Sequence, residues 1–171
     1  MPADTARLFI GLWPPLAVRD AALRHADRWS WPHHARRVHA DKIHMTLHFL
    51  GAVPRERIAA LTAALAAVPF APCDVHLDRA ELWPGGIAVL GCSDVPPELP
   101  ALHARLADAL RRIGLAPESR PWRPHLTLAR QAQGAVPPAD DDTIVWPVGG
   151  HVLIESDLRP PGRYRILAAW P

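Results

Sequence analysis

The sequence has little that would staple or anchor it from outside its own core. Two cysteines, Cys73 and Cys92, are too few for a disulfide framework in 171 residues, and no Cys-x-x-Cys pair offers a redox or zinc motif. No run approaches the roughly 18 apolar residues that a membrane-spanning helix needs. The opening stretch MPADTARLFIGLWPP lacks a basic start, and its apolar run stops at Pro14, too short for a secretory leader. A formal net charge of +2 excludes the global basic field of a nucleic-acid coat protein. No heptad pattern or long apolar strip points to an obligate dimer. These absences leave a cytoplasmic monomer as the expectation, with no membrane association and no obligate protein partner.

What is present is an ordinary globular composition, 49% apolar, which is too much for a disordered chain. The length suits one domain over residues 1–171, or two small lobes sharing a core. The 20 prolines fall mostly between apolar segments and read as loop punctuation. Positive charge is unevenly spread: Arg111, Arg112, Arg120, Arg123 and Arg130 lie near one another in sequence and permit a local phosphate-binding patch.

Periodicity gives the order of elements. RLFIGLW (7–13) is a short apolar run ended by two prolines, hence a strand. Helical spacing follows over 16–31 at its widest. KIHMTLHFLG (42–51) is strand-like, and PRERIAALTAALAAV (54–68) predicts a helix with proline in its first turn. Two strands, 73–82 and 86–92, flank the turn Pro84-Gly85-Gly86. The segment 96–114 predicts the clearest helix, with Leu99, Leu102, Leu106, Leu110 and Ile113 on one stripe and Gly114 at its stop. HLTLAR (125–130) predicts a strand. A Pro- and Asp-rich loop and three more strands, DTIVWPV, HVLIESDL and RYRILAAW, complete the chain. Consecutive strands joined by short turns favour an α+β fold with mostly antiparallel sheets over a doubly wound parallel one.

Within this order one pattern recurs: His-x-Thr-Leu stands in HMTLHFL at His44 and again in HLTLAR at His125. Residues two apart on a strand share a face, so His44 and Thr46 look one way, with Met45 and Leu47 on the other. His125 and Thr127 are likewise opposed by Leu126 and Leu128. A lone histidine on an apolar strand is ordinarily structural; the second copy in a matching frame reverses that judgement. Two such strands facing each other surround one small volume with two imidazoles and two hydroxyls. With an ordinary pKa near ~6.5, one imidazole can take a proton from water while the other gives one to a leaving oxygen. Threonine hydroxyls can donate to phosphate oxygens as charge builds there. That set suits a phosphodiester and demands neither metal nor cofactor. The other eight histidines do not recur in a frame and take no role; His33, His34 and His39 lack a Cys or carboxylate at ligand spacing.

HMTLHFLG together with RPHLTLAR resembles the signature of the two-histidine (2H) phosphoesterase superfamily, and within it the RNA 2′,3′-cyclic phosphodiesterases, historically called 2′,5′ RNA ligases. The resemblance extends to the opening RLFIGLWPP, to GLAPESRPWRPHLTLAR, and to the closing Leu/Ile-x-Ser and Gly-x-Tyr segments of HVLIESDLRPPGRYRILAAWP. It implies a two-lobed, pseudo-symmetric α+β fold with antiparallel sheets lining a central groove and helices packed outside. It also implies metal-free hydrolysis of RNA 2′,3′-cyclic phosphate ends to 2′-phosphomonoesters. Carried over by motif position, His44 becomes the proton donor, His125 the proton acceptor, and Thr46 and Thr127 the holders of phosphate oxygens. Phe49 and Arg130 fall where members of the family meet the nucleotide base. Strand geometry qualifies those two, because each lies an odd number of positions from its histidine. An unbroken strand would point Phe49 into the core; only a bulge or twist would bring it to the groove. Trp122 takes a place where phenylalanine is common, and Trp13 one where relatives often carry a smaller or acidic residue.

Two other readings compete. A nucleotide or RNA-end binding module would use the same groove without turnover and would bind phosphorylated RNA in a salt-sensitive way. The same chemistry could also serve 2′,5′ ligation or act on another cyclic phosphate.

Overall fold

The computed structural model describes residues 4–139, 142–160 and 162–171. Residues 140 and 141 of the expected Pro- and Asp-rich loop, together with 1–3 and 161, lie outside the described residues. The elements run β1 (Thr5–Leu12), α1 (Leu16–Asp27), β2 (Arg36–Arg37), β3 (Met45–Pro54), α2 (Ile58–Ala66), β4 (Cys73–Leu77), β5 (Arg79–Trp83), β6 (Ile87–Gly91), α3 (Glu98–Arg112), β7 (His125–Arg130), β8 (Ile144–Val148), β9 (His151–Asp157) and β10 (Arg163–Trp170). Two four-stranded sheets, ordered β10-β9-β1-β3 and β2-β7-β6-β5, are joined by a two-stranded β4-β8 ribbon. All recorded pairings are antiparallel. The fold is the expected α+β arrangement.

The sequence reading needs correction at three places. The run 73–82 is two strands in different sheets: β4 pairs with β8, and the chain then breaks at Asp78 to enter β5 beside β6. Asp78 marks the switch, its N–H donating to the Gly91 carbonyl while its carboxylate takes the Ser93 N–H and hydroxyl. The helix expected from Pro54 starts at Ile58, because Pro54 still belongs to β3, paired opposite Thr5, and a 3₁₀ turn over Arg55–Arg57 intervenes. The two-residue β2 was not foreseen; it is too short for any periodicity to show.

The same strand-helix-strand unit is built twice, as β1-α1-β3 and as β6-α3-β7, with the outer strands antiparallel neighbours each time. The helices are exchanged between the halves. α1 packs on β7 and β8, whereas α3 packs on β3 and α2. Each half therefore supplies the backing for the other half's motif strand, and β3 and β7 come together in the middle. A core running through both halves includes Leu8, Ile10 and Leu12 of β1, Met45 and Leu47 of β3, Leu126 and Leu128 of β7, and the α3 stripe Leu99, Leu102, Leu106 and Leu110, all 0–1% exposed. Fully burying each leucine contributes about 1.5–3 kcal/mol, so the apolar alternation that defines the motif strands is also what clamps them. α3 is stopped by Gly114 just beyond its end (φ +70°), with Gly114 N–H donating to Arg111 O and Leu115 N–H to Leu110 O, a left-handed conformation that glycine adopts without strain.

Candidate active site

The two motifs carry the same backbone irregularity at the same offset. Along β3, Thr46 pairs with Gly11 and His48 with Ile10, so Leu47 is an extra residue; along β7, Thr127 pairs with Val89 and Ala129 with Ala88, so Leu128 is extra. A bulge with two residues opposite one reverses the side-chain alternation beyond it. This resolves the parity objection in both strands. Phe49 pairs with Phe9 and is 38% exposed on the groove wall, and Arg130 lines the same groove. Phe49 is thus not a core residue.

Each histidine is held in the same way. The Nδ1–H of His44 donates to the Lys42 carbonyl at 2.7 Å, and that of His125 to the Arg123 carbonyl at 2.7 Å. A carbonyl only accepts, so Nδ1 carries the proton in both neutral rings and Nε2 is left to the groove. The Nε2 of His44 meets the Thr46 hydroxyl at 2.9 Å. Both imidazoles titrate below the ordinary histidine value of 6.5, chiefly because burial disfavours the charged ring; Arg130 presses on both, and His125 adds to the effect on His44. Gly11 makes the first motif possible: a Cβ there would lie 2.8 Å from the Met45 carbonyl, between His44 and Thr46.

The walls differ. His44 lies among Phe9 (ring centroids 4.7 Å apart), Tyr164 (5.4 Å) and Trp13, whose indole stacks at 6.3 Å and 15°. Phe9 belongs to a small apolar bed with Val152 and Ile154 on the groove side of the first sheet. Among the described residues His125 meets one ring, Trp83 at 4.4 Å, itself covered by the Arg123 guanidinium at 4.3 Å. The lobes are tied by the Trp122 indole N–H, which donates to the Thr46 carbonyl at 2.9 Å. Behind Trp122, His103 and then His48 continue a ring stack at 4.8 and 4.0 Å.

Two cavities meet at Thr46, His125, Thr127 and Arg130. One, about 530 Å³, is walled by Phe49, Trp83, Ile87 and Trp122; the other, about 350 Å³, by Arg36, Lys42, His44 and Tyr164. The anticipated arginine patch divides. Arg120, Arg123 and Arg130 reach the first cavity, but Arg111 pairs with Asp108 and neither it nor Arg112 lines either cavity. Arg7, Arg36, Trp83 and Tyr164 also line the groove; Arg7 and Tyr164 lie in the family-like segments RLFIGLWPP and Gly-x-Tyr, whereas nothing in the sequence singles out Arg36 or Trp83. Among the described residues no cluster of three His, Cys, Asp or Glu is placed to hold a metal ion, and no helix is long and apolar enough to cross a membrane.

Known proteins share this fold. The family model for the 2′-5′ RNA ligase superfamily matches residues 14–156. A protein of Escherichia coli K12 named RNA 2′,3′-cyclic phosphodiesterase is 32% identical over 135 residues, spanning 78% of this chain and 77% of its own. The crystal structure of E. coli LigT in apo form superposes with a TM-score of 0.86 at 29% identity, covering 97% of this chain and 96% of LigT. The structure of LigT complexed with 3′-AMP gives 0.84 at 31% identity over 98% of each chain.

Proposed function

The chain belongs to the 2′-5′ RNA ligase superfamily, and we propose that it hydrolyses RNA 2′,3′-cyclic phosphate ends to 2′-phosphomonoesters by acid–base catalysis between two histidines, with no metal in the reaction. The observation that carries this is the pair of imidazoles, each fixed as the Nδ1–H tautomer by a carbonyl two residues upstream, with Nε2 left to one groove. In this reading water attacks phosphorus as its proton passes to Nε2 of His125. The bond from phosphorus to O3′ breaks, and Nε2 of His44 protonates the departing oxygen. Hydrolysis leaves a 3′-hydroxyl and a 2′-phosphate, and exchange with solvent resets both rings. Thr46 and Thr127 donate to the non-bridging oxygens, where charge accumulates. Phe49 receives the terminal base by stacking, and the Arg130 guanidinium, at the junction of the two cavities, offers its charge to the substrate. Residues 1–171 act here as one two-lobed domain and as a monomer in the cytoplasm.

Support also comes from the E. coli relative's name and from a LigT structure holding a nucleotide. The test is to incubate the protein, with chelator present, with an RNA oligonucleotide ending in a 2′,3′-cyclic phosphate and to type the terminus. Conversion to the 2′-phosphate is expected. A cyclic end that survives while the RNA binds would make the groove a recognition site, and activity abolished by the chelator would remove the metal-free scheme.

A further inference from the structure

The bank of the groove made by β2 carries a charge arrangement that the hydrolysis of a cyclic phosphate does not itself need. Arg36 pairs directly with Arg130 across the antiparallel β2–β7 ladder. Side chains at directly opposed positions share a face, and like charges there destabilise the sheet. Among the described residues neither guanidinium has a carboxylate partner, whereas most neighbouring arginines do. Arg37 is held by Asp27 at 2.7 Å, Arg120 pairs with Glu118, and Arg123 is held by Glu81 at 3.0 Å. Arg36 and Arg130 line the smaller cavity together with His44, Thr46, His125 and Thr127, and no Asp or Glu lines it.

The groove thus sorts its chemistry. Aromatic surface (Phe49, Trp83, Trp122) walls one cavity, Arg36 stands in the other and Arg130 lines both, with Thr46, His125 and Thr127 at the junction. A base suits the first. The cyclic phosphate is engaged by the motif residues, so the Arg36–Arg130 pair is left facing a second anion. A 2′,3′-cyclic phosphate ends an RNA chain on its 3′ side, so the neighbouring phosphodiester is the one on the 5′ oxygen of the same nucleoside. We propose that Arg36, opposed to Arg130 across the β2–β7 ladder, forms with it a subsite for the phosphodiester one nucleotide upstream of the cyclic end, so that oligonucleotides are preferred over mononucleotides. This rests on the hydrolytic reading of the same groove and adds to it which part of the RNA is held.

The experiment compares kcat/KM on a dinucleotide ending in a 2′,3′-cyclic phosphate with that on the corresponding nucleoside 2′,3′-cyclic phosphate, for the unaltered protein, Arg36→Gln and Arg36→Lys. The dinucleotide-to-mononucleotide ratio should fall about tenfold in Arg36→Gln, as expected for loss of a charge-assisted phosphate contact. It should fall less in Arg36→Lys, which keeps the charge but not the fork. The salt dependence of log KM for the dinucleotide should flatten, as one screened charge contact is lost. Because the substitution removes a like-charge opposition, the thermal midpoint of Arg36→Gln should stay level or rise, which a merely structural arginine would not allow. An unchanged ratio, or an equal loss on both substrates with a lowered midpoint, overturns the subsite. If neither substrate is hydrolysed by the unaltered protein, the hydrolytic reading itself has failed, which is a different result.

Discussion

His44 and His125 sit in the same backbone device, a carbonyl on Nδ1 and a bulge beginning three residues downstream, yet their surroundings differ. His44 is packed among three rings and touches its own motif threonine. His125 has one tryptophan, and a guanidinium covers that tryptophan's ring. The shared part goes with the strand-helix-strand unit that is built twice. The unshared part would let two identical side chains take the opposite roles proposed for them, because burial and neighbours, not residue type, set when each ring holds a proton.

The comparison breaks most violently when either ring is removed. His44→Ala and His125→Ala should each lower kcat by about 10² to 10⁴, and the double variant should be little worse than the poorer single one, since two groups serving one proton relay are not additive. Single-turnover rates on a cyclic-phosphate RNA check this. Next come the threonines. Thr127→Val removes one donor to the phosphate and should cost about 10² in kcat. Thr46→Val should cost as much and in addition move the limb of the pH–rate profile that belongs to His44, because Thr46 lies on that imidazole's Nε2. Phe49→Ala, a loss of base stacking, should raise KM about tenfold with kcat nearly kept.

The pH dependence sharpens the comparison further. Both rings have depressed values, so the base is lost only as pH falls through a value below 6.5, and the acid limb of kcat/KM should lie there. An anionic phosphate in the groove favours both imidazolium forms, so the limbs of kcat should stand at higher pH than those of kcat/KM. The smallest effect is on stability. Burial, with the neighbouring His48, lowers His103 to about 4 from 6.5. The unfolded chain therefore takes up that proton first, and this part of the stability, whole above pH 6.5, is lost as pH falls from 6.5 to 4 and then levels off. Urea midpoints at pH 7 and 5 should differ less in His103→Gln than in the unaltered protein.

Much of this was legible in the sequence because the motif strands do two jobs with one pattern. Alternation put Met45, Leu47, Leu126 and Leu128 inward, and the same alternation put His44 with Thr46 and His125 with Thr127. The α3 stripe and its glycine stop were equally plain. The bulges were not, since an extra residue in a ladder leaves no mark on composition; the odd offset of Phe49 and Arg130 was the only sign of them. Trp83 and Arg36 stayed hidden because they reach the groove from strands that carry no motif, through pairings fixed by topology. The helix exchange was hidden for the same reason: a stripe of leucines says that a helix is buried, not on which half.

The most direct test of the unequal pair uses a substrate whose leaving atom needs no proton. A cyclic phosphate with sulfur in place of O3′ expels a thiolate, so the donor is dispensable and the acceptor is not. The account predicts that this substrate restores His44→Ala to near the rate of the unaltered protein and leaves His125→Ala impaired. Restoration of His125→Ala instead, or of neither, would contradict the assignment of donor to His44 and acceptor to His125.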